Sequence, residues 1–252
     1  MQLFADYHTH TTFSHGTGSI EDNVKVAIQK GLKQIAITDH GVAHKLFGIS
    51  IKKLKEMRRQ IDILNKKYPQ IEILLGVEAN LISHNGDIDV SDEMLKYLDV
   101  VLVGFHKTAQ PKNLSAFFKL YLFNWLGIKN QKQIELNTNA YIKMLEKYNF
   151  ISCITHLNYG CKVDAVKIAK HCKKHNVYVE LNGKRTLFSD AEIKEMIKQE
   201  TKFLINSDAH SPQNVGNTTL PTNFAIKHHI PQHLVANWNN TATLKEIQKD
   251  EL

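Results

Sequence analysis

Seven short apolar runs recur along the chain, at residues 3–7, 34–38, 71–77, 100–103, 151–155, 177–181 and 203–205. They are rich in Ile, Val and Leu, and apolar and polar positions do not alternate within them. Strands buried on both faces read this way, and such strands pair in parallel. Between the runs the apolar spacing lengthens to the helical period. Ser19-Ile20-Glu21-Asp22 predicts a helix start, with Ser19 as N-cap and Asp22 where a capping box prefers Glu, and Gly31 marks the end. Further helices are predicted over 51–67, which stops before Pro69, and over 132–148, 163–175 and 190–198. Strands alternating with helices imply crossover connections and an α/β fold built on a parallel sheet.

One segment breaks the rhythm. Residues 115–128 (SAFFKLYLFNWLGI) are aromatic-rich and follow the fourth run. They read as an extra amphipathic helix packed on the barrel, a lid over the site, or an oligomer contact. The expected organisation is a single domain over 1–252, with 115–130 as an insertion or lid and 217–252 as a C-terminal helical extension.

Composition narrows the class. Lys plus Arg number 32 and Asp plus Glu 25, for a formal charge of +7 over 252 residues. This modest, dispersed excess suits an anionic ligand such as phosphate but does not single out nucleic acid. Cys153, Cys161 and Cys172 form no C-x-x-C pair, so a reducing, cytoplasmic setting is expected. The opening MQLFADYH reads as a strand rather than a signal peptide, and no apolar stretch is long enough for a membrane span. Without a secretory signal, the terminal Lys249-Asp250-Glu251-Leu252 reads as a chance match to a retention signal.

The chemistry collects where the runs end. His8, His10 and His15 follow the first, Asp39 and His40 the second, and Glu78 ends the third. His106 follows the fourth and His156 the fifth. The sixth carries Glu180 and leads to Asn182; Asp208 and His210 follow the seventh. In a closed (β/α) barrel the C-terminal strand ends converge on one face, where such enzymes place their sites. Seven of the 14 histidines (His8, His10, His15, His40, His106, His156 and His210) fall in these loops. Imidazoles and carboxylates packed together are costly to bury unless a cation is shared among them. So many ligands exceed what one catalytic ion takes and suit two or three. The imidazole-rich, mixed-oxygen set favours zinc, with manganese or iron as alternatives, over magnesium or calcium.

At these residues the chain resembles the PHP family, the polymerase and histidinol phosphatase domain. The matching motifs are Asp6-Tyr7-His8-Thr9-His10 with His15, Thr38-Asp39-His40-Gly41, Gly76-Val77-Glu78-Ala79-Asn80, Gly104-Phe105-His106, Thr155-His156 and Ser207-Asp208-Ala209-His210. The stretch from Gly76 to Gly104, with Asp87-Ile88-Asp89, resembles the small stand-alone bacterial phosphatases of the family. The resemblance implies a distorted seven-stranded (β/α) barrel, TIM-barrel-like, with a trinuclear metal site. It assigns His8, His10, Glu78 and Asp208 to a first ion, and Glu78, His106 and His156 to a second. His15, His40 and His210 fall to a third. Leu157 departs from the family pattern, in which Pro follows the histidine. That departure bears on the loop of Asn158, Tyr159 and Gly160, and so on substrate preference.

The expected activity is hydrolysis of a small phosphomonoester by water activated at the metal cluster. Asp39 is assigned to orienting an imidazole. Lys107, Lys184, Arg185 and His44 flank the ligand loops as candidate substrate-phosphate contacts, and Glu180 reads as a structural strand-end residue. The alternatives are a 3′–5′ exonuclease or nucleotide phosphoesterase, a histidinol-phosphate phosphatase, and a non-catalytic metal-binding interaction module. The last predicts missing ligands, and none is missing. Nucleic acid as a partner is not favoured, because no aromatic–basic stripe is evident.

Overall fold

The computed structural model describes residues 3–247. In chain order the elements are β1 (Ala5–Thr9), α1 (Ile20–Gln29), β2 (Gln34–Ile37), α2 (Ile51–Lys67), β3 (Glu72–Asn80), α3 (Asp92–Leu95) and β4 (Val100–Gly104). Then come α4 (Leu114–Ala116), a π-helical turn (Phe117–Leu122), α5 (Phe123–Trp125), α6 (Gln131–Lys147), β5 (Ile151–Ile154), α7 (Ala165–Lys174), β6 (Tyr178–Asn182), α8 (Asp190–Lys198), β7 (Phe203–Asn206) and α9 (Thr219–Lys227). The seven strands stand in sequence order and every neighbouring pair is parallel. The predicted runs thus all become strands, shifted by up to three residues at their ends.

Local chemistry sets the helix limits. Ser19 accepts a hydrogen bond from the Asp22 amide, and Asp22 accepts one from the Ser19 amide at 3.0 Å, so Asp closes the capping box. Gly31, just past the Lys30 cap, sits at φ +76°, a conformation that costs a residue with a Cβ but not glycine. In α2 the spacing of Leu54, Met57, Ile61 and Leu64 buries one stripe against the sheet.

Two apolar layers explain the non-alternating strands. Ile35, Ile37, Val101 and Val103 pack outward beneath the helices. Ala36, Val100, Leu102, Cys153 and Leu204, with Ala5 and Tyr7, fill the barrel interior. Small and large side chains mix there, from Ala5 and Ala36 to Tyr7, and together fill the lumen.

No continuous ladder joins β7 to β1, so this seam decides whether the barrel closes. Near the site, the His10 amide donates to Ala209 O at 2.8 Å and the Ala209 amide to His8 O at 3.2 Å. Lower down, the Tyr7 amide donates to Asn206 Oδ1 at 3.1 Å, and the Ser207 amide to the buried Asp6 carboxylate at 3.1 Å. At the floor a segment from the C-terminal region fills the gap. Its Asn237 side chain donates to Ala5 O at 2.9 Å and Ile205 O at 2.6 Å, and accepts from the Ile205 amide at 3.0 Å. The expected helical extension is therefore one helix, α9, and a short 3-10 turn, followed by irregular chain that seals the seam. Lys249 to Leu252 lie outside the described residues. No helix among the described residues is long and apolar enough to cross a membrane.

The aromatic segment forms the extra helix that was one of its expected readings, with the π turn at its centre. Leu120, Tyr121 and Asn124 face inward; the Tyr121 hydroxyl donates to Leu81 O at 2.9 Å, and Asn124 exchanges amide hydrogen bonds with Asn137 of α6. Leu114, Phe118, Trp125 and Leu126 remain exposed.

Asn237 is wholly buried and its removal strands two carbonyls and one amide. Asn237→Ala should lower unfolding free energy by about 2 kcal/mol or more, read as a lower urea midpoint at unchanged slope.

Candidate metal centre

The C-terminal ends of the strands deliver the nine expected ligands to one rim. Glu78, at the end of β3, is buried at the centre of the group. Its two oxygens face different imidazoles. Oε2 lies 3.0 Å from His40 Nδ1, 3.4 Å from His8 Nε2 and 3.6 Å from His10 Nε2. Oε1 lies 2.6 Å from His156 Nε2 and 3.4 Å from His106 Nε2. Asp208 stands across from it, its Oδ1 3.6 Å from His10 Nε2, 3.8 Å from His8 Nε2 and 3.3 Å from His210 Nδ1. His15 stacks on His40 at 4.8 Å between centroids and meets His210 edge-on at 4.0 Å.

Three sets of donor atoms lie within 4.8 Å of one another: His10, His15, His40 and His210; His8, His10 and Glu78; and His40, Glu78 and His106. These cut across the expected partition, since His10 also reaches the His15 set and His40 also reaches Glu78. The residues fit cations on their own evidence. His8 Nε2 and His10 Nε2 face each other at 3.1 Å. Nδ1 of His10, His15 and His156 is buried without a hydrogen-bond partner. Buried polar atoms of this kind are rare unless something else satisfies them.

Electrostatics point the same way. Burial drives His10 well below the ordinary imidazole range, His40 to about 3 and His15 to about 4. Burial opposes ionisation of Glu78, but the histidines around it, His106 and His8 foremost, hold it well below the ordinary carboxylate range. Asp208 is likewise held down, against burial, by His8 and His10. His8 and His156 go the other way: against burial, Glu180 and Glu78 raise His8 and Glu78 raises His156. Ligation of a divalent cation needs ionised carboxylates and neutral imidazoles, so these two would release a proton as a cation took over their charge.

Backbone strain marks the same positions. His156 (φ 28°) and Asp208 (φ 52°) occupy the left-handed region without being glycine. Gly104 makes room for one of them: a Cβ there would lie 2.5 Å from Thr155 Oγ1 and 2.6 Å from His156 Cε1.

A cavity of about 450 Å³ opens above the cluster. Leu46 and Phe47 line one wall, with Tyr159, Lys107, Lys184 and Arg185 also on the lining. No residue of the aromatic segment lines it. The Arg185 guanidinium stacks 3.8 Å above the Tyr159 ring. Lys184 Nζ lies 3.1 Å from Asp208 Oδ1 and 2.5 Å from His210 Nδ1. His44 is on the wall too, but its Nδ1 accepts from the Phe47 amide at 3.3 Å and its Nε2 meets Thr108 Oγ1 at 2.8 Å, so both nitrogens are engaged.

Asp39 accepts from the Thr11 amide at 2.8 Å and from the hydroxyls of Thr11 and Ser14, fixing the loop that carries His15; the imidazole it faces is not that of its chain neighbour His40 but that of His10, whose Nδ1 lies 3.9 Å from Asp39 Oδ1. Burial pushes its carboxyl up to about 6 despite those donors. Glu180 is more than a strand-end residue, since its Oε1 lies 2.7 Å from His8 Nδ1. Asn80 was not singled out at all. Its Oδ1 lies 2.8 Å from His106 Nδ1, and Asp89 holds its amide at 2.7 Å. The signal for it was spacing: Asn80 sits two residues beyond Glu78 on the same strand face.

The model of the PHP domain matches residues 6–184. The chain belongs to the PHP domain family. A probable phosphatase of Shewanella frigidimarina is 30% identical over 228 residues, covering 86% of this chain and 81% of its own. The DNA polymerase/3′-5′ exonuclease PolX of Bacillus subtilis is 27% identical over 83% of this chain, which spans only 35% of that protein. The fold matches the histidinol phosphate phosphatase of Lactococcus lactis, solved with zinc, L-histidinol and phosphate, at a TM-score of 0.62 and 16% identity, over 90% of this chain and 94% of that one. This PHP protein is a metal-dependent phosphoesterase.

Gly104→Ala should push His156 off its position. The expected cost is about 1–3 kcal/mol of stability together with a lower metal content, measured by thermal unfolding and elemental analysis of the same sample.

Proposed function

We propose that this PHP protein is a phosphatase of small phosphomonoesters, working through two or three divalent transition-metal ions, zinc foremost. His8, His10, His15, His40, Glu78, His106, His156, Asp208 and His210 would hold them. The observation that carries this reading is the division of Glu78, one oxygen toward His106 and His156 and the other toward His8, His10 and His40. A carboxylate so placed is built to be shared between neighbouring cations.

When bound, such ions neutralise phosphoryl oxygens and acidify water toward neutral pH. The chain's own side chains supply the rest. Lys184 reaches over Asp208 and His210 and offers a charged donor to a phosphate entering the cavity. Arg185, kept in place by Tyr159, and Lys107 present further cations on the lining. Leu46 and Phe47 give one wall an apolar face. Asp39 keeps the His15 loop closed against the cluster.

A 3′–5′ exonuclease is the second reading, supported by the likeness to PolX over most of this chain. Release of labelled nucleotides from single-stranded DNA faster than phosphate from small esters would favour it.

Asp208→Ala should lose metal and reduce turnover of an aryl phosphate by about 100-fold or more, and a chelator should abolish activity that added zinc or manganese restores. Full activity in metal-stripped protein, or full metal content and turnover in the variant, would remove the proposal.

A further inference from the structure

Glu180 is a carboxylate behind the centre with no exposed side-chain surface. It receives donors on both oxygens. Oε1 meets His8 Nδ1 at 2.7 Å and the Asn206 side-chain amide at 3.0 Å. Oε2 accepts from the His156 backbone amide at 2.9 Å and the Asn182 side-chain amide at 2.8 Å.

Three of these donors have no alternative role. A backbone N–H can only donate. The Asn182 carbonyl accepts from the Lys184 amide at 2.9 Å, so its NH2 must face Glu180. The Asn206 carbonyl accepts from the Tyr7 amide at 3.1 Å, which turns its NH2 the same way. Each oxygen thus meets a fixed donor and neither meets an acceptor, which suits the ionised form. An ionised carboxylate only accepts, so the fourth contact, His8 Nδ1, must carry a proton. Nε2 is then the nitrogen of His8 that, unprotonated, can offer its lone pair to a cation, and it points at His10, Glu78 and Asp208.

The same carboxylate reaches two more candidate ligands. It anchors the amide of His156 at its left-handed turn. Through Asn182, whose amide also lies 3.2 Å from Asp208 Oδ2, it braces Asp208. We infer that Glu180 is the positioning residue of the metal centre, fixing the Nδ1-protonated form of His8 and bracing His156 and Asp208 from behind.

This inference rests on the metal-site reading above. Glu180→Gln replaces one acceptor by a donor. Whichever way the amide turns, its NH2 opposes another N–H. The escape is for His8 to accept at Nδ1 and carry its proton on Nε2, in the way of the cation.

The test is zinc affinity of the folded protein, measured by competition with a chelator. Glu180→Gln should bind about 10- to 100-fold more weakly than wild type. Asn237→Ala, at the barrel floor, should lose stability but keep wild-type affinity. Equal affinity in Glu180→Gln and wild type overturns the inference, as does an equal loss of affinity in both variants. Absence of zinc binding by wild type instead removes the underlying site reading. Should Glu180→Gln not fold, histidine 15N spectra of zinc-loaded wild type decide: His8 protonated at Nδ1 supports the inference, and an unprotonated Nδ1 overturns it.

Discussion

A single buried carboxylate, Glu78, lies within 4 Å of five imidazoles. An ionised group out of contact with water needs compensation on every side. Divalent cations between carboxylate and imidazoles would relieve that cost, and most other features of the rim hold the donors in reach. The barrel is the means. Each strand contributes one short loop, and parallel order brings all seven loops to the same end.

Holding donors in reach requires support behind them. Asp89 fixes Asn80, which turns His106; Asp39 ties down the His15 loop; and the Asp6 carboxylate anchors Ser207, next to Asp208. These carboxylates are themselves buried, and they are tolerable because backbone amides and hydroxyls saturate them. The strained turns at His156 and Asp208 persist for the same reason: the surrounding hydrogen bonds over-determine them. Closure of the barrel depends separately on the seam between β1 and β7, where Asn237 from a late segment of chain bonds to Ala5 and Ile205 at the floor.

The candidate donors and the cavity walls are different residues. The donor set lies at the floor of the cavity, contributed by the strand ends. The walls come from longer loops: Leu46 and Phe47 beyond β2, Lys107 and Thr108 beyond β4, Tyr159 beyond β5, and Lys184 and Arg185 beyond β6. Loops of this kind can change without disturbing the barrel, which lets one fold carry different sites.

Much of this was written in the primary structure. Apolar runs buried on both faces dictated parallel strands, because no alternating pattern left a face for water. The serine caps and Gly31 set helix limits through local hydrogen bonds alone. The candidate donors were legible because His, Asp and Glu at strand ends have few other uses in such density. Other roles needed the tertiary structure, since they depend on contacts between residues far apart in the chain. Glu180 meets His8 across 172 positions, and Asn237 closes a gap between the first strand and the last. Asp39 adjoins His40 in sequence, yet its oxygens turn to Thr11 and Ser14. Periodicity and propensity act over a few residues; which buried donor meets which buried acceptor is settled only when the barrel closes.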